Sequence, residues 1–289
     1  MRVLRSPGEF RSELVREQSE RLIGFVPTMG ALHEGHLSLV RAARSANKVV
    51  VVSIFVNPLQ FGPNEDFAAY PRNEDEDVEQ LADAGADAVF IPSLDDMYPP
   101  DRSTTVSVGS LAEVLEGARR PGHFDGVCTV VAKLFNIVRP ARAYFGQKDA
   151  QQDAVIRRMV SDLDFDLEIV VCPIVREPDG LAMSSRNAYL SEDERDRATV
   201  LFRALEEGRR RLIQSRDPSA AEAAMKEVFA AEGVEPDYTV GCDPDSFGPA
   251  EPEGPVLLAV AARIGRARLI DNMLVTSADI EGVVGASRS

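Results

Sequence analysis

Residues 22–40 read LIGFVPTMGALHEGHLSLV, and this stretch decides the fold of the first half of the chain. Its first five residues are apolar and predict a buried strand, which ends in a Pro-Thr-Met-Gly turn. Leu37, Leu39, Val40 and Ala43 then recur at helical spacing. A strand followed so closely by a helix predicts the first unit of an α/β sheet.

The same stretch holds two of the chain's three histidines, in the tetrapeptide His33-Glu34-Gly35-His36. They lie where the predicted helix begins, one turn apart on one face, where unpaired N–H groups and the positive end of the helix dipole favour phosphate. Imidazoles add hydrogen-bond donors and positive charge there. The alternative is a histidine pair that caps the helix without chemistry. Zinc is not expected, because the zinc-protease pattern needs its second histidine at i+4, not i+3.

Further strands and helices alternate downstream. Strands are predicted at residues 22–27, 48–56, 88–91, 141–145 and 167–174. Helices are predicted at 6–19, from about 35 onward, and at 73–84, 127–138 and 150–160. The β-branched run at 48–56 is typical of a strand buried on both faces of a parallel sheet. The pattern predicts a doubly wound parallel sheet, Rossmann-like, for residues 1–174. Ligands bind such sheets beyond the carboxyl ends of the strands.

The pattern changes after about residue 175. Ser191-Glu192-Asp193-Glu194 resembles a capping box that opens a long helix to residue 213, and a second helix is predicted at 218–229. Two apolar runs, 256–262 and 267–275, flank a short polar turn and predict an antiparallel hairpin. We therefore expect a smaller C-terminal α+β domain over residues 175–289.

Composition excludes several classes of function. The chain has 289 residues, a formal net charge of −15 and a pI near 4.7, which argue against a nucleic-acid-binding surface. Cys128, Cys172 and Cys242 are odd in number and far apart, so we expect buried thiols in a reducing compartment. No run reaches the ~20 apolar residues of a membrane span. A cytoplasmic location is expected.

Three polar segments are candidate ligand-binding positions. Lys148, between a strand and a helix, could reach a nucleotide phosphate, and Gln152 follows at the helix start. Met183-Ser184-Ser185-Arg186 offers hydroxyls and a guanidinium, which binds phosphate oxygens bidentately. Gln60, after the second strand, offers a donor and an acceptor to a substrate. Without function, a surface turn would explain the Lys148 and Gln60 segments, and a polar interdomain linker would explain Met183–Arg186.

With these motifs, the chain resembles the HIGH/KMSKS nucleotidyltransferase superfamily. Four longer strings resemble the pantothenate synthetase family in particular, over essentially the whole chain. They are PTMGALHEGH from Pro27, FVNPLQF from Phe55, FGQKD from Phe145 and LAMSSRN from Leu181. The resemblance implies ATP-dependent joining of pantoate to β-alanine through an acyl adenylate. It also implies a cytoplasmic homodimer with ATP as co-substrate, Mg²⁺ as cofactor and neither nucleic acid nor membrane as partner.

The resemblance also implies roles for individual residues. His36 and His33, with Lys148, would be catalytic; Gln60 and Gln152 would bind pantoate, and Gln60 also β-alanine. The residues implied for ATP are Met29, Gly30, Ala31, Leu32, His33, Glu34, Gly35, His36, Gly146, Gln147, Lys148, Asp149, Val175, Met183, Ser184, Ser185 and Arg186. Tyr70-Pro71-Arg72 and Glu116 would lie near the site. The acidic Mg²⁺ positions fall at Glu76 and Asp77, of which Asp77 is our predicted ligand.

Two alternatives stay open at this point. Another HxGH-type adenylyltransferase, forming a nucleotide cofactor, would release pyrophosphate without needing an amine. A nucleotide-sensing module would bind ATP without turnover. An aminoacyl-tRNA synthetase needs a basic tRNA-binding surface, which the acidic composition disfavours.

Overall fold

The computed structural model describes residues 1–63, 65, 67–251 and 253–279. The chain divides into two compact units, Met1–Gly146 with Val155–Pro173, and Gln147–Ala154 with Ile174–Ser289. The segment Gln147–Ala154 thus belongs by its contacts to the second unit. Our boundary between residues 174 and 175, as a division of function, stays a prediction.

The first unit is built on six parallel strands: β1 (Arg2–Leu4), β2 (Ile23–Thr28), β3 (Val49–Ile54), β4 (Ala88–Phe90), β5 (Arg142–Gly146) and β6 (Glu168–Cys172). Their order across the sheet is β1-β4-β3-β2-β5-β6. The order reverses at the centre, where β2 lies between β3 and β5. The loops after β2 and β3 therefore leave neighbouring strands at one edge of the sheet.

The unit's helices are α1 (Pro7–Glu13), α2 (Val15–Ser19), α3 (Glu34–Ala46), α4 (Glu74–Asp83), α5 (Leu94–Met97), α6 (Leu115–Arg119), α7 (His123–Val138) and α8 (Ala150–Asp162), the last shared with the second unit. Alternate strand residues enter two separate cores. Phe25 and Val51 pack with residues of α1, α7 and α8. Val26, Val50 and Val52 pack with residues of α3 and α4. Both faces of the sheet are covered, which confirms the doubly wound fold.

The second unit holds a three-stranded antiparallel sheet of β7 (Pro236–Cys242), β8 (Val256–Ile264) and β9 (Ala267–Val275), in that order. Its helices are α9 (Glu192–Ala198), α10 (Val200–Ser215) and α11 (Pro218–Ala231). Leu258 and Val260 of β8 pack in one core with Leu205 and Met225 of the last two helices. The α+β prediction is confirmed.

Two predicted helices are interrupted. The helix at 6–19 breaks at Leu14, whose side chain is fully buried in the core while its φ of −122° leaves the helical range. The long helix from the Ser191 capping box breaks at Thr199, whose Oγ1 donates to the Asp196 carbonyl at 2.7 Å. Such a side-chain bond competes with the helical ladder. Among the described residues, no helix combines the length and apolarity needed to cross a bilayer.

Ser6 and Glu9, which have the spacing of a capping box, form only part of one at the start of α1. The Ser6 side chain accepts from the Glu9 N–H at 3.2 Å, but the Glu9 carboxylate accepts from the N–H of Arg5 rather than from that of Ser6. At Ser191 both bonds of the box are present, with Glu194 as the partner.

Candidate active site

The loop between β2 and α3 has a left-handed backbone. Gly30 has φ +80° and Ala31 has φ +51°, and these angles direct the N–H groups of Ala31 and Leu32 at the carboxylate of Asp77. The two hydrogen bonds are 3.0 and 2.8 Å long. A Cβ on Gly30 would lie 2.8 Å from Asp77 Oδ2. Asp77, on α4, therefore fixes the loop that leads to the histidines.

The two histidines meet at the start of α3. His33 is the N-cap residue, and its Nδ1 accepts from the Gly35 N–H at 3.1 Å. Its ring centroid lies 4.1 Å from that of His36, with the planes 41° apart. Because Nδ1 accepts a hydrogen bond, the proton of the neutral His33 ring lies on Nε2. The predicted pair at a helix N-terminus is present, and both rings are half-buried.

Gln60 is held by its side chain in a 3-10 turn after β3. Asn57 Nδ2 donates to Gln60 Oε1 at 2.9 Å, and Gln60 Nε2 lies 3.3 Å from Met29 Sδ. Asn57 is itself buried, where it donates to the Gly126 carbonyl and accepts from the Tyr98 hydroxyl at 2.8 Å. Two predicted site residues, Met29 and Gln60, are thereby brought into contact.

The backbone of Gln60 is held by the third histidine. His123 Nδ1 lies 2.8 Å from the Gln60 carbonyl, and Arg120 Nη1 lies 3.0 Å from His123 Nε2. Burial, with the charge of Arg120 as a smaller cause, lowers the pKa of His123 to about 4. Arg120 also forms a two-pronged ion pair with Glu65. Burial would raise the pKa of Glu65, but the hydrogen bonds and charge of Arg120 outweigh it and lower that pKa.

In the second unit, Lys148 lies in a 3-10 turn, Gln147–Asp149, immediately before α8. Its amine is 3.7 Å from Asp149 Oδ1, and its side chain is 20% exposed. The turn is held by Asn272 of β9, whose Nδ2 donates to the carbonyls of Gln147 and Lys148, each at 2.9 Å. Gln152 follows on α8 and is half-buried.

The Met183–Arg186 motif follows a small hairpin in the same unit. Met183 N donates to the Val175 carbonyl at 3.0 Å, and Arg176 pairs with Ala182 in an antiparallel bridge. The turn of the hairpin ends at Gly180, where a Cβ would lie 2.0 Å from the Phe202 ring. Ser184 caps the 3-10 turn Ser185–Tyr189 by accepting from the Arg186 N–H at 3.3 Å.

The remaining predicted residues occupy varied positions. Tyr70 and Glu116 are buried, and the guanidinium of Arg72 lies 5.3 Å from the centre of the Phe67 ring. Glu34 is exposed and pairs with Arg41 on the same helix. Gly146 is the last residue of β5.

The predicted metal position has little free coordinating capacity. Each Asp77 oxygen already accepts one backbone N–H, and burial raises the pKa of this carboxyl group, although those two bonds oppose the rise. In the part of the chain that the structure describes, no three acidic, histidine or cysteine side chains are grouped to hold a metal ion. Asp77 as an Mg²⁺ ligand stays a prediction.

The three cysteines are buried thiols, as expected from the sequence. Burial raises the pKa of Cys128 and of Cys242 to about 12 in each case. A thiol is nucleophilic as its thiolate, so neither is poised for nucleophilic chemistry. A cavity of about 590 Å³ lies at the amino ends of β2, β3, β5 and β6, and none of the predicted site residues lines it.

Comparisons with known proteins identify the family of this chain. The family model described as pantoate-beta-alanine ligase matches residues 2–274. The chain belongs to the pantoate-beta-alanine ligase family.

Relatives of this ligase family include the pantothenate synthetases of Acidobacterium capsulatum and Caldicellulosiruptor bescii. The first is 59% identical over 260 residues, which is 88% of this chain and 86% of the relative. The second is 56% identical over 256 residues, which is 88% of this chain and 91% of the relative.

Two solved structures of the ligase family are also similar. The pantothenate synthetase of Thermus thermophilus matches with a TM-score of 0.90 and 48% identity, covering 94% of this chain and 99% of that one. The Francisella tularensis pantoate-beta-alanine ligase, complexed with beta-gamma ATP and beta-alanine, matches with a TM-score of 0.79 and 37% identity. The alignment covers 95% of this chain and 97% of that chain.

Sequence reasoning missed the residues that support the site from a distance along the chain. Asn57 was within a quoted string but had no assigned role, and His123 and Asn272 were not singled out. The spacing from His123 to Gln60 is 63 residues, and that from Asn272 to Lys148 is 124. Hydrophobic periodicity reflects only residues that are close in sequence, so no local signal identified these partners.

Proposed function

We propose that the chain is an ATP-dependent ligase that condenses pantoate with β-alanine through a pantoyl adenylate. The products are pantothenate, AMP and pyrophosphate. One observation carries the proposal: two imidazoles, 4.1 Å apart, lie at the amino end of α3 in a chain of the pantoate-beta-alanine ligase family.

The first half-reaction needs charge stabilisation more than covalent catalysis. A carboxylate oxygen of pantoate attacks the α-phosphorus of ATP, and pyrophosphate leaves with the electrons of the broken P–O bond. His33 donates from Nε2, His36 lies beside it, and the N–H groups at the start of α3 add positive potential. The protein otherwise positions the reactants in line.

The second unit supplies a further cation and two hydroxyls. Lys148 is assigned to the phosphates as a point charge. Ser184, Ser185 and Arg186 are assigned to the phosphates beside it, with Arg186 as a bidentate donor. Val175 and the Gln147–Asp149 turn complete the proposed ATP contacts. The residues 183–186 also keep water from the adenylate, because hydrolysis would waste it.

The second half-reaction is amide formation. The neutral amine of β-alanine attacks the pantoyl carbonyl, AMP leaves, and the amine's proton is lost to solvent. Gln60 and Gln152 are assigned to pantoate, and Gln60 also to β-alanine. The amide of Gln60 is oriented by Asn57, so its donor and acceptor have defined directions.

Mg²⁺ enters this proposal as a companion of the nucleotide. It keeps several waters and needs only one or two carboxylates when phosphates supply other oxygens. Each Asp77 oxygen accepts one N–H of the loop, which leaves it one lone pair for such an ion.

A coupled assay of AMP release with ATP and pantoate, run with and without β-alanine, tests the function. We expect steady AMP release only with β-alanine, and pyrophosphate–ATP exchange with pantoate alone. Pyrophosphate formation that ignores the amine would favour a cofactor adenylyltransferase, and ATP binding without either product would favour a nucleotide sensor.

Homodimeric assembly and a cytoplasmic location complete the proposal, on the strength of the family. Light scattering coupled to size-exclusion chromatography would test assembly. A mass near 31.5 kDa, that of one chain, would contradict the dimer.

A further inference from the structure

Asn272 contacts the Lys148 turn through both ends of its amide. Its Nδ2 donates to the carbonyls of Gln147 and Lys148 at 2.9 Å each, and its Oδ1 lies 3.4 Å from Gln147 Nε2. Asn272 is 3% exposed and lies on β9, opposite Ala259 of β8. A buried amide on a paired strand, with its donors used on two successive carbonyls, fixes the path of that turn.

The preceding residue of β9 contacts the hairpin that leads into Met183–Arg186. Asp271, also 3% exposed, accepts two hydrogen bonds from Arg176, at 2.6 and 3.0 Å. Arg176 also donates to the carbonyls of Gly180 and Asn272, and its guanidinium lies 4.6 Å from the centre of the Phe202 ring. Arg176 belongs to the hairpin that leads into Met183–Arg186.

We propose that Asp271 and Asn272 are positioning residues: Asn272 places Lys148, and Asp271 places the Met183–Arg186 segment through Arg176. The proposal rests on the proposed function for its kinetic test. Two adjacent residues of one strand thus align two segments that lie about 35 residues apart in the chain, as rigid support of reacting groups requires.

Double-mutant cycles separate positioning from a general loss of stability. We expect Asn272→Ala to lower kcat for adenylate formation about 10- to 100-fold, the scale of an ~1 Å misplacement, with little change in the KM for pantoate. In a Lys148→Ala background the same change should cost less than about twofold, because the placed group is gone. Leu274→Ala, two residues along the same strand and 39% exposed, is the matched control.

For Asp271, the double-mutant cycle uses Arg186→Ala as the background in which the effect should disappear. Asp271→Asn should lower kcat about 10-fold in the Lys148→Ala background but less than about twofold in an Arg186→Ala background. If Asp271→Asn does not fold, Arg176→Lys keeps the charge and removes the two-pronged geometry, and it serves in the same cycles.

A second readout does not depend on turnover. The chain has four lysines, Lys48, Lys133, Lys148 and Lys226, so reductive ¹³C-methylation gives few NMR lines, and Lys148→Arg assigns the one from Lys148. We expect Asn272→Ala to shift that line and Leu274→Ala to leave it in place. If the wild type releases no AMP, the proposed function fails, while this line still decides whether Asn272 places Lys148.

Equal costs of Asn272→Ala in both backgrounds, with an unmoved Lys148 line, would mean that Asn272 only stabilises β9 and would overturn its assignment. Equal costs of Asp271→Asn, or of Arg176→Lys, with and without Arg186 would do the same for Asp271.

Discussion

In the proposed function, His33 uses its two ring nitrogens for different tasks. Nδ1 accepts the Gly35 N–H and caps α3, which leaves Nε2–H to donate. A side chain that keeps only the capping task would separate helix stability from phosphate binding. Asparagine is such a side chain, because it caps helices well and carries no imidazole.

We therefore predict that His33→Asn folds with wild-type stability but loses about 10²-fold in adenylate formation, the scale of one lost transition-state donor. His33→Ala should lose the same activity and also about 1 kcal/mol of stability, because the cap is gone. Urea unfolding and pyrophosphate–ATP exchange measure the two effects. Equal stability losses in both variants would refute the capping task.

His36 and Lys148 act in this proposal only on developing charge. His36→Ala and Lys148→Ala should each lower kcat by ~10²-fold or more while the fold stays intact, as judged by circular dichroism. Near-wild-type turnover in either purified variant would remove that residue from the mechanism.

Gln60 should affect substrate affinity rather than the rate of chemistry. Gln60→Ala removes an oriented amide, so we expect the KM values for pantoate and β-alanine to rise about tenfold or more, with a smaller change in kcat. Gln214→Ala, an exposed glutamine on α10, is the matched control. Unchanged KM values would show that Gln60 does not contact either substrate.

At the scale of elements, the loop from β2 to α3 has a strained backbone, and the carboxylate of Asp77 holds it in place. Its left-handed residues pass the chain around a buried carboxylate, and the His33 cap follows at once. The sequence predicted the strand, the turn and the helix, because each has a local signal. It did not predict the partner of the turn, because Asp77 is 45 residues further along.

Gly30→Ala should destabilise the protein by about 1–3 kcal/mol, since φ is +80° and the new Cβ would approach Asp77 Oδ2. Gly8→Ala is the matched control: it lies in α1 at ordinary φ, and a Cβ there would make an ordinary contact with Ser6 Oγ at 3.9 Å, so the change should be neutral or stabilising by about 1 kcal/mol. Denaturant unfolding of both variants checks this. A Gly30→Ala variant as stable as Gly8→Ala would contradict the argument.

Two strands, β1 and β7, were not predicted, because local sequence patterns do not identify them. β1 has three residues, too few for any periodicity, and it forms by pairing with β4. β7 begins at Pro236 and contains Asp237 and Gly241, residues that are rare in strands. It is an edge strand, where proline at the first position is tolerated. Both strands form because a neighbouring strand pairs with them. The local pattern of a single sequence does not reveal which strand that is.

For the whole molecule, buried titratable groups make stability depend on pH. His123 has a folded pKa of about 4, below the ordinary 6.5 of the unfolded chain. Between those values the unfolded state binds a proton that the folded state does not, so stability falls as pH falls from about 6.5 towards 4. At pH values above 6.5 His123 is neutral in both states, so none of this stability is lost.

We predict that the free energy of unfolding drops between pH 7 and pH 5 by on the order of 1 kcal/mol more in the wild type than in His123→Gln. Urea titrations at the two pH values measure the difference. Asp279, whose pKa is lowered to about 2 by its bonds to Thr276 and Arg209, responds to acid in both proteins and cancels. An equal drop in the free energy of unfolding in the two proteins would mean that the pKa of His123 is not lowered in the fold.

The three buried cysteines provide internal reporters of the unfolding of each unit. Cys128 and Cys172 lie in the first unit and Cys242 in the second, and all three are shielded from solvent. An alkylating reagent added during denaturation would mark each sulfur only when its own unit exposes it. Mass spectrometry of the tagged peptides would then order the loss of the two units in time without any introduced label.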